Sequence, residues 1–318
     1  MNVEITTPAP RGARTGNRIT ALRWAGMLRG LGARVRVVTE HRHLGCDLYI
    51  ALHARASHSS IRAIHEEAGK GLLLVALTGT DLYVDLDRDS STLHSLRLAD
   101  RIVTLQPRAA EKLPAELVPK VVVIPQSSSP PDHIPERPRD RFQVLVVAHL
   151  RAVKDSLRTA RAARLLPAAS RIQVTHLGAA LSADLEAAAL EETRSNPRYE
   201  WLGLKHRRET LERLAGAHLM VQSSLSEGGS NTVSEALVCA TPVLSSRAAG
   251  SVGMLGPDYP GLFDAGDEQA LAGLLRRAET DPDFYHSLER HCARLAPTYS
   301  PARERAQWAA ILAEVRES

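Results

Sequence analysis

The chain is poor in cysteine, lysine and aromatic residues, and it contains no long apolar run. Its three cysteines, Cys46, Cys239 and Cys292, lie far apart with no Cys-x-x-Cys pair. That argues against a disulfide framework and a structural zinc site, and predicts reduced, mostly buried thiols. Aromatics make up 4% of the 318 residues, too few for the basic stripe with interleaved stacking residues that nucleic-acid binding needs. No apolar stretch approaches the roughly 18 residues that would span a bilayer. The opening Met1-Asn2-Val3-Glu4-Ile5 carries an acid where a signal peptide would be basic. A cytoplasmic protein with no stable membrane association is expected.

What is present is ordinary for a folded protein: 44% hydrophobic and 24% charged residues, with 20 Gly and 18 Pro. Length alone suggests two domains, with one large α/β domain still allowed. Of 40 basic residues only Lys70, Lys112, Lys120, Lys154 and Lys205 are lysines. The arginines are spread evenly, as a genome-wide codon habit would leave them, but arginine also suits bidentate phosphate contacts. An anionic small-molecule substrate fits better than nucleic acid.

Short aliphatic runs alternate with helical stretches from end to end. Twelve are strand-like: Val3–Thr6, Arg34–Val38, Asp47–Leu52, Leu72–Leu77, Arg101–Leu105, Lys120–Ile124, Phe142–Val147, Arg171–His176, Glu200–Leu202, Leu219–Gln222, Pro242–Ser245 and Leu262–Asp264. Between them lie helical segments, among them Gly16–Leu31, Lys154–Leu165 and Thr232–Val238. This alternation means βαβ units and parallel sheets. Residues 126–140, rich in Pro and Ser, read as a linker. The expected organisation is two doubly wound Rossmann-like domains, 1–138 and 139–300, facing a central cleft, and a terminal helix over 301–318. Ligands of such sheets bind at strand carboxyl ends, near helix N-termini.

The sharpest motif follows the apolar run Leu219-Met220-Val221: Glu227-Gly-Gly-Ser-Asn-Thr-Val-Ser-Glu235. Gly228 and Gly229 allow close backbone approach, Ser230 and Asn231 can cap the helix that follows, and Thr232 stands in its first turn. Exposed N–H groups and the helix dipole then form an anion cradle. Glu227 and Glu235 bracket it, which suits a nucleotide sugar: one acid for sugar hydroxyls and one for ribose. A second motif, Val146-Val-Ala-His-Leu-Arg-Ala-Val-Lys-Asp155, ends another strand. There Arg151 and Lys154 can neutralise a leaving diphosphate. The alternatives are an ordinary glycine-rich turn and a solvated surface loop.

In the first half, the basic loop Pro8–Arg18, with Arg11, Arg14, Gly16, Asn17 and Arg18, leads into a helix and suits a small oxyanion. Ala76–Tyr83, containing Thr78, Gly79, Thr80 and Asp81, also follows a strand, as does His53. The acidic run Asp85-Leu-Asp-Arg-Asp89 lacks the glycine and the closing glutamate of a calcium loop, and reads as a solvated loop. In helix Gly16–Leu31, Thr20, Trp24, Met27, Leu28 and Leu31 form one core stripe, with Arg18 and Arg29 off it.

The second-half motifs resemble the GT-B glycosyltransferases, retaining family 4 in particular, with their Gly-Arg-Leu-x-x-x-Lys loop and Glu-x7-Glu pair. The resemblance puts Lys154, Glu227 and Arg151 at the reaction. It puts Gly228, Gly229, Ser230, Asn231, Thr232, Glu235, His149 and Gly203 around the donor. The sequence departs from the family at Ala148-His149, where Gly-Arg is usual. It also implies that the last helix crosses back to the first domain.

A narrower resemblance is to the selenosugar synthases of selenoneine biosynthesis, carried by TPAPRGARTGNRITALRWA, VALTGTDLY, AHLRAVKD, SEGGSNTVSEAL, GSVGMLGPDYPG and RRAETDPDFY. It implies a UDP-hexose or UDP-N-acetylhexosamine donor and selenophosphate as acceptor, releasing UDP and phosphate with no metal or other cofactor. Arg11, Arg14, Gly16, Asn17, Arg18, His53, Thr78, Gly79, Thr80 and Asp81 would then surround the acceptor. Selenophosphate, already anionic, needs binding and aim more than a base. The competing readings are a family 4 enzyme with a lipid or sugar hydroxyl acceptor and a nucleotide-sugar-binding protein without turnover. A dinucleotide oxidoreductase is disfavoured, since no Gly-x-Gly-x-x-Gly follows a strand.

Overall fold

The computed structural model describes residues 1–13, 15–42, 45–67, 69 and 71–317. The chain divides into two compact units, Met1–Gln126 with Pro301–Ser318, and Ser127–Ser300.

The first unit holds strands β1 (Asn2–Thr6), β2 (Arg34–Val38), β3 (Leu48–Leu52), β4 (Leu72–Ala76), β5 (Arg101–Thr104) and β6 (Val121–Val123). They pair in the order β2-β1-β3-β4-β5-β6, every pair parallel. Its helices include α1 (Gly16–Gly30), α2 (His58–Glu66) and α3 (Ser90–Leu98). The second unit holds β7 (Phe142–Val147), β8 (Ile172–Leu177), β9 (Tyr199–Trp201), β10 (Leu219–Gln222), β11 (Val243–Ser246) and β12 (Leu262–Phe263). Their order is β12-β11-β10-β7-β8-β9, again all parallel. Helices α4 (Arg158–Arg164), α5 (Ala183–Ser195), α6 (Arg207–Ala215), α7 (Asn231–Val238), α8 (Ala249–Leu255), α9 (Glu268–Thr280) and α10 (Pro282–Leu295) belong to it, and α11 (Pro301–Glu317) to the first. All twelve expected strands are present, with ends shifted by at most a residue or so.

Helices on both faces explain why the central strands β3 and β4 are apolar at every position. In β4, Leu73 and Val75 join one buried cluster and Leu74 and Ala76 the other, following the period of two. The cluster with Leu74 and Ala76 includes Trp24 and Leu28 of α1, with half-buried Met27 and Leu31 packed against it, and Thr20 of the same stripe is buried. Trp24 meets Trp308 of α11 edge-on at 4.9 Å and donates its indole N–H to Glu304 at 2.8 Å. The three cysteines are free and buried.

Two details depart from the sequence reading. The helix expected over 154–165 is broken: Ala152–Lys154 forms a 3-10 turn, Asp155 is left-handed at φ 41°, and α4 starts only at Arg158. Tertiary hydrogen bonds hold this break, Ser223 Oγ donating to the Asp155 carbonyl at 2.8 Å and Leu225 N–H to the Val153 carbonyl at 2.8 Å. Aspartate tolerates the left-handed region better than most residues. Arg18, expected off the core stripe, is 9% exposed, whereas Arg29 is exposed. The linker residues from Ser127 onward pack with the second unit. There Ser128 N–H donates to the Tyr299 carbonyl at 3.1 Å, and Arg137 donates to Tyr285 and to the Ala240 carbonyl, each at 3.0 Å.

Candidate functional site

In each sheet the chain reverses its direction of winding at one place: between β1 and β3 in the first unit, between β7 and β10 in the second. The carboxyl ends of the strands flanking such a switch point are where doubly wound folds hold ligands. In the second unit those ends carry both expected motifs.

Leaving β10, Ser223–Ser226 lead into Glu227, whose side chain is nearly buried at 8% exposure. A carboxylate at that depth needs charge-assisted partners. It has an ion pair with Lys154 Nζ and a hydrogen bond from Ser224 Oγ at 2.6 Å. Because the chain turns left-handed at Asp155, Lys154 stands on the turn before α4 rather than inside the helix. The break in the helix is thus what brings Lys154 to Glu227.

Beyond Gly228 and Gly229, Ser230 caps α7, its Oγ accepting from Val233 N–H at 3.3 Å and donating to Gln222 Oε1. Gln222 in turn donates to Ser251 Oγ at 2.9 Å. Thr232 Oγ donates to the Val147 carbonyl at 3.2 Å, tying the start of α7 to the end of β7. No acid stands in the first turn of α7, which opens with Asn231, so its positive end is left for an anion. Glu235, 8% exposed, pairs with Arg207 at the start of α6. Arg207 also donates to Ser128 Oγ at 2.9 Å.

His149 follows β7. Its Nδ1 accepts the Ala179 N–H at 3.0 Å, so in the neutral ring Nε2 carries the proton and is the donor. Burial first, then the charges of Arg151 and Lys154, lowers its pKa below the ordinary 6.5. Arg151 is exposed and makes no ion pair among the described residues. Gly203, at φ 69°, lies beyond β9 and accepts the Gly178 N–H at 2.9 Å through its carbonyl. The structure thus joins Lys154, Glu227 and Ser224 directly, and links β7 to α7 through Thr232. Arg151 follows β7 and accepts the Lys154 N–H at 2.9 Å through its carbonyl, but its side chain makes no hydrogen bond or ion pair with that cluster, and Gly203, beyond β9, makes none with it either, among the described residues.

Sequence reasoning missed three contributors. Ser224 and Arg207 reveal themselves only by pairing. Gly250 lies where a Cβ would come within 2.1 Å of the Glu227 carbonyl oxygen, and its N–H donates to that oxygen at 3.0 Å. Nothing in one sequence separates this glycine from the other 19.

In the first unit, Arg11 and Gly16 are exposed, Asn17 is half-buried, and Arg14 lies outside the described residues. Helix α1 has neither an acid in its first turn nor a side-chain cap. Arg18, in that turn, makes no hydrogen bond or ion pair among the described residues. His53 is held at φ 71°, a costly conformation for a residue with a Cβ. Its Nδ1 accepts Ala56 N–H at 3.3 Å and its Nε2 donates to Thr80 Oγ1 at 3.0 Å.

The turn after β4 corrects an expectation. Asp81 is fully buried, and it accepts the N–H groups of Ala54, Thr78 and Gly79 at 3.0, 2.9 and 2.8 Å. The amides of Thr78 and Gly79, two of the residues expected around the acceptor, are already engaged, and Asp81 shapes the loop rather than facing a ligand. Thr80 is the exposed member. The acidic run is similarly occupied: Asp89 caps α3 and Asp85 pairs with Arg55 at 2.9 Å.

A family profile described as Glycosyl transferases group 1 matches residues 132–294, just over half of the chain. No curated protein matches the sequence. Among solved structures, HepE of Anabaena in complex with UDP and glucose is 14% identical, with a TM-score of 0.76, covering 99% of this chain and 100% of its own. Sucrose-phosphate synthase of Thermosynechococcus elongatus is 16% identical, with a TM-score of 0.80, covering 99% of each. The pneumococcal O-GlcNAc transferase GtfA, in complex with UDP and GlcNAc, is 15% identical, with a TM-score of 0.68 over 94% of this chain and 60% of its own. Among the described residues no helix is long and apolar enough to cross a membrane.

Proposed function

Starting from a chain that belongs to the group 1 glycosyl transferases and has the GT-B kind of fold, we propose that it transfers the sugar of a UDP-hexose or UDP-N-acetylhexosamine to selenophosphate. The observation that carries the donor half is the Lys154–Glu227–Ser224 cluster beside the positive end of α7, whose first turn holds no acid, at the switch point of β7 and β10. Amides at the start of α7 take the diphosphate, Lys154 and Arg151 neutralise the charge that grows on it as the bond to the anomeric carbon breaks, and Glu227 orients the sugar. Glu235 takes the ribose hydroxyls. His149 offers its Nε2–H to the donor as a neutral hydrogen-bond donor, where the family arginine would be charged. Solved neighbours of the same fold hold UDP with glucose or GlcNAc, which supports this donor class.

For the acceptor, Arg18 supports an oxyanion: a guanidinium so deeply placed without a carboxylate is costly unless an anion meets it. Selenium attacks the anomeric carbon, the bond to UDP breaks, and hydrolysis of the P–Se bond then releases phosphate and leaves the selenosugar. Thr80 and His53 stand beside that loop's strand end as further polar contacts. The strained imidazole of His53, bonded to Thr80, favours a second reading in which the two orient a hydroxyl acceptor as polar contacts; with Nδ1 accepting from Ala56 and Nε2 protonated, the ring has no free lone pair to act as its base. Mass spectrometry of products from a panel of UDP-sugars, each with selenophosphate or with hydroxyl acceptors, tests both. A selenosugar formed with release of UDP supports the first, and UDP release only with hydroxyl acceptors replaces it by the second.

A further inference from the structure

Glu235 lies a turn inside α7, 28 residues from the arginine that pairs with it. At 8% exposure its carboxylate cannot rely on water for compensation. Arg207 reaches it from the first residue of α6, and its second terminal nitrogen donates to Ser128 Oγ at 2.9 Å. Ser128 is itself fixed by the bond from its N–H to the Tyr299 carbonyl at 3.1 Å. The guanidinium is therefore held at both ends of its fork, and through it the Glu235 carboxylate is tied to the segment on which Ser128 sits. A lone lysine could supply the charge but not the fork.

We infer that Arg207 is a positioning residue of the nucleotide site: by clamping Glu235 to Ser128 it sets the carboxylate for the ribose hydroxyls of the donor. This rests on the reading of Glu235 as the ribose contact. Arg207 acts through Glu235 and does not touch the reacting atoms, so its loss weakens the nucleotide before and during reaction alike. That is a uniform-binding effect, seen in KM and not in kcat.

Calorimetric titration of the full chain with UDP and with 2′,3′-dideoxy-UDP tests this, for wild type, Arg207→Gln, Arg207→Lys and Ser128→Ala. Arg207→Gln should bind UDP about tenfold more weakly, the usual scale for losing a charge-assisted hydrogen bond. Arg207→Lys should recover part of the loss, and Ser128→Ala should lose less than Arg207→Gln. With the dideoxy nucleotide, which has no ribose hydroxyls at these positions, wild type and all three variants should agree within about twofold. Equal losses for both nucleotides would make Arg207 a general structural support and overturn the inference. Unchanged or tighter UDP binding in Arg207→Gln would make it a bystander or a competitor, with the same result. If Arg207→Gln fails to fold, as its melting curve shows, Ser128→Ala decides by the same comparison. Wild type that binds no UDP removes the donor reading itself; wild type that binds both nucleotides equally removes the ribose role of Glu235.

Discussion

The two units share a sheet plan but furnish their switch points in opposite ways. In the second, carboxylates are buried and matched to cations: Glu227 with Lys154, Glu235 with Arg207. In the first, the loop after β1 and the opening of α1 offer Arg11 and Arg18 with no ion pair among the described residues, and no acid in the first turn of the helix. Paired charges set a geometry in advance, with the cost of desolvation already met within the protein. A deep cation without a carboxylate instead gains most from an anion brought by a ligand. Similar sheets can therefore be specialised by which of two charges the loops leave out.

The comparison is broken most severely at Lys154. Lys154→Ala removes the cation beside the leaving diphosphate and strands a buried Glu227, and should lower turnover about 10²–10³-fold in a UDP-release assay. A loss of only a few-fold would take Lys154 out of the chemistry. Arg18→Gln tests the other side. It should raise the KM for selenophosphate about 10–100-fold, the range for one charged hydrogen bond, and leave UDP affinity alone. Loss of UDP affinity with selenophosphate affinity kept would reverse the assignment of the two units.

A smaller effect sharpens how rigid the paired side is. Gly250→Ala puts a methyl group against the Glu227 carbonyl, where no flexible side chain can yield, and should destabilise by about 1–3 kcal/mol. Gly273→Ala, on α9 with nothing within 4 Å of the added carbon, should stabilise by about 0.5–1 kcal/mol. Denaturant midpoints that do not separate the two variants would show that the backbone at Glu227 gives way.

The smallest effect concerns the support beneath His149. His176 is buried between Tyr199 Oη at 2.7 Å and the Ala148 carbonyl at 2.9 Å, and burial lowers its pKa from 6.5 to about 4. A folded pKa below the unfolded one means that the unfolded chain takes up the proton first. Stability from this group is complete above about pH 6.5 and falls as pH drops toward 4, by at most about 1.4 kcal/mol per pH unit. His176→Gln should flatten that slope in unfolding curves taken at pH 7 and pH 5; an unchanged slope would assign the acid sensitivity elsewhere.

How far the sequence could be read depends on the range of the interaction. The twelve strands were legible because a sheet covered on both faces writes a local aliphatic run for each strand. Glu227, Glu235, Ser230 and Lys154 were legible because the turn that joins a strand to a helix lies within one short stretch. The left-handed Asp155 was not, since bonds from Ser223 and Leu225 impose it. Nor was the inward turn of Asp81: three backbone N–H groups from two loops claim its carboxylate. The burial of Arg18 and the partners of Arg207 likewise depend on contacts between distant segments.

The pairing of Trp24 with Trp308 places the last helix in a core that the first strands begin. During synthesis from the N-terminus, the second unit, whose residues are continuous, emerges entire while the first still lacks α11. Its apolar face around Trp24 then stays open through the translation of more than half the chain, a long window for misassembly or chaperone capture. Completion of the first unit consequently waits on the synthesis of α11, and the environment of two indole rings reports it.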